Sequence, residues 1–237
     1  MKKHGLETRG GGTGRKSVGS RLLLILIAAG LAADLVSGSD GPKPEITVRV
    51  YDYAKVARAT LQNSELSAAN ILRKAGIDTM WIECPIETAE SIAPAACQQA
   101  IRQTEIVLRI LPHFASGSRL YRDATLGFSI VSPGSEAGTY AGVFFDRVET
   151  LAKGGVALPA EILGHAIAHE IGHLLLRSNQ HSSVGIMRAR WNQEDLRRAS
   201  QGSLLFTTRQ SELIRTEVGI RYGMQQAYAF SETVAAR

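Results

Sequence analysis

The 237-residue sequence predicts an α+β fold built on a mixed sheet, and three observations carry that expectation. "ITVRVYDYA" alternates apolar and polar residues at the period of a strand. A helical stretch and further strand-like runs follow it in the order strand, helix, strands, helices. Late in the chain, "LPAEILGHAIAHEIGHLLL" holds apolar residues at helical spacing over five turns.

The elements follow in order. In the first strand Ile46, Val48 and Val50 share one face. "NSELSAANILRKAG" reads as a helix with Ser64 as N-cap, Leu66, Ile71 and Leu72 as core positions and Gly76 as the stop. "IDTMWIEC" and "EIVLRIL" read as strands flanking a loop. After Pro112 comes a second loop over about 112–125, one candidate wall of a binding cleft. "LGFSIV" and "TYAGVFFDRV", joined through a Pro-Gly-Ser turn, then read as an antiparallel pair. Pro159 suits the first helical position and Glu161 the first turn. Two shorter helices, near 192–200 and 208–221, complete the chain, and no internal repeat is present.

Composition narrows the function. Six basic residues against Glu7 alone fall in residues 1–21, and the rest carries 21 basic and 21 acidic residues. The net charge of +5 therefore sits in the N-terminal stretch, and the folded part lacks the basic footprint of a nucleic-acid binder. The apolar run Leu22–Ala33 behind that stretch reads as a secretory signal over 1–36, cleaved near Ala32–Ala33 or within Val36–Ser39. It is short for a membrane span, so contact with a membrane is expected only through an uncleaved N-terminal anchor. A linker over 37–44 precedes the domain at 45–237. Cys84 and Cys97, thirteen apart in an exported chain, are expected to form one disulfide.

Four of the six histidines fall between His165 and His181. His169-Glu170-Ile171-Gly172-His173 is H-E-x-x-H, and on a helix the two histidines are stacked neighbours about 5–6 Å apart. Imidazoles at that spacing converge on one Zn²⁺, and Glu170 is placed to act as general base on the water that the metal activates. His165, one turn earlier, is expected to support or pack, and His113 to be solvated.

A catalytic zinc takes a third ligand. "HEIGH", His181-Ser182 and "GIM" at Gly185–Met187 resemble the metzincin clan of zinc peptidases, whose pattern is H-E-x-x-H-x-x-G-x-x-H followed by a methionine turn. Leu176 stands where that pattern has glycine, Asn179 stands where it has histidine, and His181 comes two residues late. Ser178-Asn179 is expected to make the turn. The resemblance implies His169, His173 and His181 as ligands, Glu170 as base and Met187 as an apolar floor under the metal. It also implies an upper lobe (45–177) with a twisted sheet and the active-site helix, and a small helical lower lobe (178–237). An extended substrate would pair with an edge strand, for which "TYAGVFFD" is the candidate, and Tyr222 or Tyr228 would stabilise the oxyanion.

The expected function is an exported, monomeric zinc endopeptidase acting on proteins or peptides. The alternatives are a non-catalytic zinc-binding module, or a gluzincin-type peptidase in which Glu194 completes the site. The third ligand separates two of these. His181→Ala should empty the protein of zinc and Glu194→Ala should leave one zinc per chain, read by metal analysis after dialysis; the reverse pattern would select the gluzincin arrangement.

Overall fold

The structure is a computed structural model that describes residues 44–86, 93–113, 125–131 and 138–235, the last eight by backbone alone. The expected signal and most of the expected linker, the Pro-Gly-Ser turn and nearly all of the loop after Pro112 lie outside these residues. From Asp40 onward the chain is one compact unit. Among the described residues no helix is long and apolar enough to cross a membrane.

Among the described residues the architecture is mixed α/β, a five-stranded sheet with six helices. Strands β1 (Glu45–Asp52), β2 (Asp78–Glu83), β3 (Glu105–Leu111), β4 (Gly127–Ile130) and β5 (Tyr140–Phe144) lie in the order β2-β1-β3-β5-β4. β1 pairs in parallel with β2 and β3, and β3 with β5; β4 runs antiparallel to β5. The antiparallel pair is where the sequence puts it, but "TYAGVFFD" is not an edge. β5 is bonded on both sides, its tail Phe145–Ala152 turns into helix α3, and β4 is the edge strand.

Ile46, Val48 and Val50 are fully buried, as the alternation requires. The other face of β1 carries Arg49, also buried, whose guanidinium pairs with Glu105 and donates to the carbonyls of Gln99 and Ala100. That ion pair fixes the connector before β3 against the sheet. The Cys84–Cys97 disulfide ties the end of β2 to the short helix α2 (Ala95–Gln98). Closing a loop of that length is worth about 3 kcal/mol in the chain-entropy account.

Helix α1 (Arg58–Lys74) begins six residues before Ser64. Its start follows a turn in which the Asp52 carboxylate accepts the backbone N–H groups of Ala54 and Val56. Ser64 is therefore not an N-cap; it is buried mid-helix and its hydroxyl donates to the Leu61 carbonyl. The earlier start also sets the buried face as Leu61, Ser64, Ala68, Ile71 and Leu72, which turns Leu66 outward, 61% exposed. Gly76, at φ 91°, ends the helix as expected.

Helix α4 (Pro159–Leu176) is the centre of the unit, in contact with β4, β5, α1, α3, α5 (Gln193–Ser200) and α6 (Thr208–Ala235). Pro159 opens it, and Glu161 reaches back to accept the Leu158 N–H at 2.7 Å. Every residue from Ile162 to Leu175 is buried. The expected stripe Leu163, Ile167, Ile171 and Leu174 faces the core, but the histidine face is covered as well. α6 is longer than its apolar pattern predicts. Buried Arg221 anchors it, donating to Glu217 at 3.0 Å, to the Leu174 carbonyl at 3.0 Å and to the Gly138 carbonyl at 3.2 Å.

Glu65 gives this fold a pH dependence. Burial, with repulsion from Glu83, pushes its carboxyl up to about 7 from 4.5, and Oε1 is buried without a hydrogen-bond partner. A raised carboxyl pKa contributes stability that is complete below pH 4.5 and lost as pH rises through 7. Glu65→Gln should therefore resist urea better than the parent at pH 8, with the advantage gone by pH 4; equal midpoints at both pH values would remove Glu65 from the pH response.

Candidate metal centre

α4 brings His169 and His173 together one turn apart. Each ring is held from behind: His169 Nδ1 is 2.7 Å from the Ile186 carbonyl, and His173 Nδ1 is 2.7 Å from the Ser178 carbonyl. A carbonyl only accepts, so both Nδ1 atoms carry the proton and both Nε2 atoms carry a lone pair. These two Nε2 atoms face each other at 3.0 Å. Two lone pairs at that separation repel, and the arrangement is that of two nitrogens sharing a cation. Two ligands each about 2.0–2.1 Å from a tetrahedral zinc lie roughly 3.3 Å apart.

The third ring is His181. Its centroid is 5.3 Å from that of His169 and 4.8 Å from that of His173. The three potential ligand atoms lie within 4.8 Å of one another, and among the described residues these three histidines are the group so placed. Glu194 is not part of it; its carboxylate is exposed and pairs with Arg197. Burial above all lowers the pKa of all three rings, that of His169 to about 3 with help from His173 and His181. Neutral imidazole is the form that binds a metal, so at neutral pH the donor set is ready for a divalent cation.

The turn that delivers His181 is not where the sequence suggests. α4 stops at Leu176, and Arg177 takes the left-handed conformation, φ 50° and ψ 39°. The Arg177 N–H bonds to Leu174 and the Ser178 N–H to the His173 carbonyl, closing a Schellman motif. Ser178-Asn179 follows the turn rather than forming it. The left-handed residue thus sits one position beyond the glycine of the metzincin pattern, and the Ser178 carbonyl that this geometry aims back is the one holding His173.

Behind the histidines, Gly172 lets the floor approach. A Cβ there would stand 2.8 Å from Met187 Sδ and 2.6 Å from Phe206. Met187 is buried and lies against Gly172 of the H-E-x-x-H turn. Trp191, which sequence reading missed, donates its indole N–H at 3.1 Å to the Ile186 carbonyl that also holds His169. His165 is buried, bonded through Nδ1 to the Glu161 carbonyl, with Nε2 lacking a partner; it stands outside the triad. His113 is exposed. Tyr222 lies away from the centre, its hydroxyl accepting the Glu45 N–H at 3.3 Å, and the Tyr228 side chain is outside the description.

Glu170 lies on the same cavity wall as the triad, in a cleft of about 820 Å³. Burial pushes its carboxyl up to about 8, against the pull of a hydrogen bond from the Ser129 side chain. Ser129 and Gly127 belong to the edge strand β4. A Cβ on Gly127 would meet Glu170 Cγ at 2.8 Å and Oε1 at 2.9 Å, so the missing side chain makes the space that the carboxylate occupies. An isolated glycine within a strand pattern marks such a close approach, and that signal was present in "LGFSIV".

The left-handed Arg177 supplies a test of the turn. A non-glycine residue in that region costs roughly 1–2 kcal/mol, and the exposed guanidinium offsets little through its 4.0 Å contact with buried Glu217, whose closer partner is Arg221 at 3.0 Å. Arg177→Gly should raise Tm by about 2–4 °C in a domain of this size, without loss of metal binding. A fall in Tm would show that the arginine side chain, not the backbone, governs this position.

No family model matches the chain, and no curated protein matches it. Among solved structures it is similar to archaemetzincin from Methanopyrus kandleri, at 14% identity and a TM-score of 0.46, over 76% of this chain and 98% of that one. At that level the likeness carries no inference of its own, and the reading of the site stands on its histidines and Glu170.

Proposed function

We propose that the chain is a zinc-dependent endopeptidase, exported to an extracytoplasmic compartment. The observation that carries this is the pair of mutually facing imidazole lone pairs, joined by a third ring and flanked by a buried carboxylate. His169, His173 and His181 would hold the metal, with Ile186 and Ser178 fixing the first two rings from behind. Zinc, when bound, supplies Lewis acidity and a nearby positive charge, which polarises a carbonyl, acidifies water and favours the ionised form of Glu170.

The protein's own residues do the rest. The Glu170 carboxylate takes the proton of the attacking water and hands it to the leaving amine nitrogen. Ser129 and the space left by Gly127 hold that carboxylate in the cleft. The substrate would lie extended along β4, whose outer edge no strand covers among the described residues. The expected lobes, upper to residue 177 and lower beyond it, would form the two sides of the cleft. Export fits the Cys84–Cys97 disulfide and the basic, then apolar, N-terminal sequence.

Glu170→Gln separates a peptidase from a zinc-binding module. The variant should keep one zinc per chain while hydrolysis of a denatured protein mixture drops at least about a hundredfold. Zinc retained with hydrolysis unchanged would take Glu170 out of the reaction, and zinc bound by a parent chain that cleaves nothing would favour the module.

A further inference from the structure

The cleft is cationic. Arg147, Arg188 and Arg190 line it, and Glu170 is the one carboxylate that does so among the described residues. α3 presents one face to it, Arg147, Thr150 and Leu151, with Gly154 just beyond the helix. Across the cleft runs the segment Arg188–Trp191, which follows the Met187 turn.

A second cavity, of about 710 Å³, opens beside His181. Thr125, His181, Ser182, Ser183, Arg188 and Arg190 line it, and no carboxylate does among the described residues. Thr125, His181, Arg188, Ala189 and Arg190 belong to both cavities, so the second adjoins the metal centre at His181. Hydroxyls, imidazole and guanidinium supply its polar atoms, beside Ala189 and the carbon stems of the arginines, and guanidinium is the group among them that recognises an anion. Arg188 is fixed there by Asp195, 3.2 Å away, itself locked into the cap of α5 through Asn192. Arg190 is exposed and makes no ion pair or hydrogen bond among the described residues.

We propose that this second cavity is a substrate subsite for a carboxylate, and that Arg190, with Arg188 beside it, sets a preference for peptides carrying a carboxylate next to the bond to be cut. The proposal rests on the peptidase reading for its position along the substrate. The carboxylate has two sources, an Asp or Glu side chain or the peptide's own C-terminus. Guanidinium recognises both in the same forked geometry.

The test reads binding and cleavage separately. Zinc-loaded Glu170→Gln protein is titrated at low salt with fluorescent peptides, and the parent protein is assayed for cleavage of the same set. One arm compares Asp or Glu with Asn or Gln in amidated peptides; the other compares free with amidated C-termini in peptides without acidic residues. A carboxylate in at least one arm should tighten Kd about tenfold, the scale of one charge-assisted contact. Adding Arg190→Glu, an exposed replacement that leaves the core untouched, should abolish that difference. Equal binding in both arms, or a preference that survives the charge reversal, would overturn the subsite. If the parent cleaves none of the peptides while the binding preference is present and Arg190-dependent, the subsite stands and the peptidase reading falls.

Discussion

A helix buried on every side along its middle leaves solvent little part in satisfying its polar side chains, and α4 is such a helix from Ile162 to Leu175. Several of its polar groups find partners in other parts of the chain, and those partners determine much of the surrounding structure. Glu161 answers the Leu158 N–H at the start. Arg221, from α6, reaches the Leu174 carbonyl at the end, where a positive charge also suits the negative pole of the helix. Ile186 and Ser178 answer the two imidazole N–H groups, and Ser129 answers Glu170. The segment after α4 returns along the histidine face because those N–H groups require carbonyls there.

The same constraint accounts for the chemistry. Burial makes ionisation costly, so it keeps the imidazoles neutral and raises the carboxyl of Glu170. A site arranged this way holds its donors in the ligating form before any ion arrives. The geometry of its two helical donors is set by backbone carbonyls and by packing of α4 against Met187 and Phe206, and His181 joins them from the segment after the helix.

How much of this was legible in the sequence depends on how local each feature is. His169, Glu170 and His173 are separated by less than two helical turns, so their convergence follows from helix geometry alone. The disulfide, Pro159, Gly76 and the antiparallel pairing of β4 with β5 are similarly local. The sheet order is not, and so the edge strand was misplaced: β5 reads like any strand until β3 is known to flank it. Arg49 and Glu105 lie 56 residues apart, and neither carries a sign of burial in sequence. Leu66 reads as core in sequence because the start of α1 is set by a carboxylate, Asp52, outside the helical pattern. The turn at Arg177 was hidden for a different reason. A left-handed arginine is held by the hydrogen bonds around it, and residue type gives no hint of it.

The Ile186 carbonyl that accepts both His169 and Trp191 has an optical consequence. The indole ring lies 6.0 Å from the His169 ring and 6.3 Å from the His165 ring, edge-on to both. The other tryptophan of the chain, Trp81, sits on β2 at the far edge of the sheet. One of the protein's two tryptophans thus shares an acceptor with the imidazole of His169, while the other is placed as a reference. A metal held by His169 would be read in the emission of that tryptophan, with no label required.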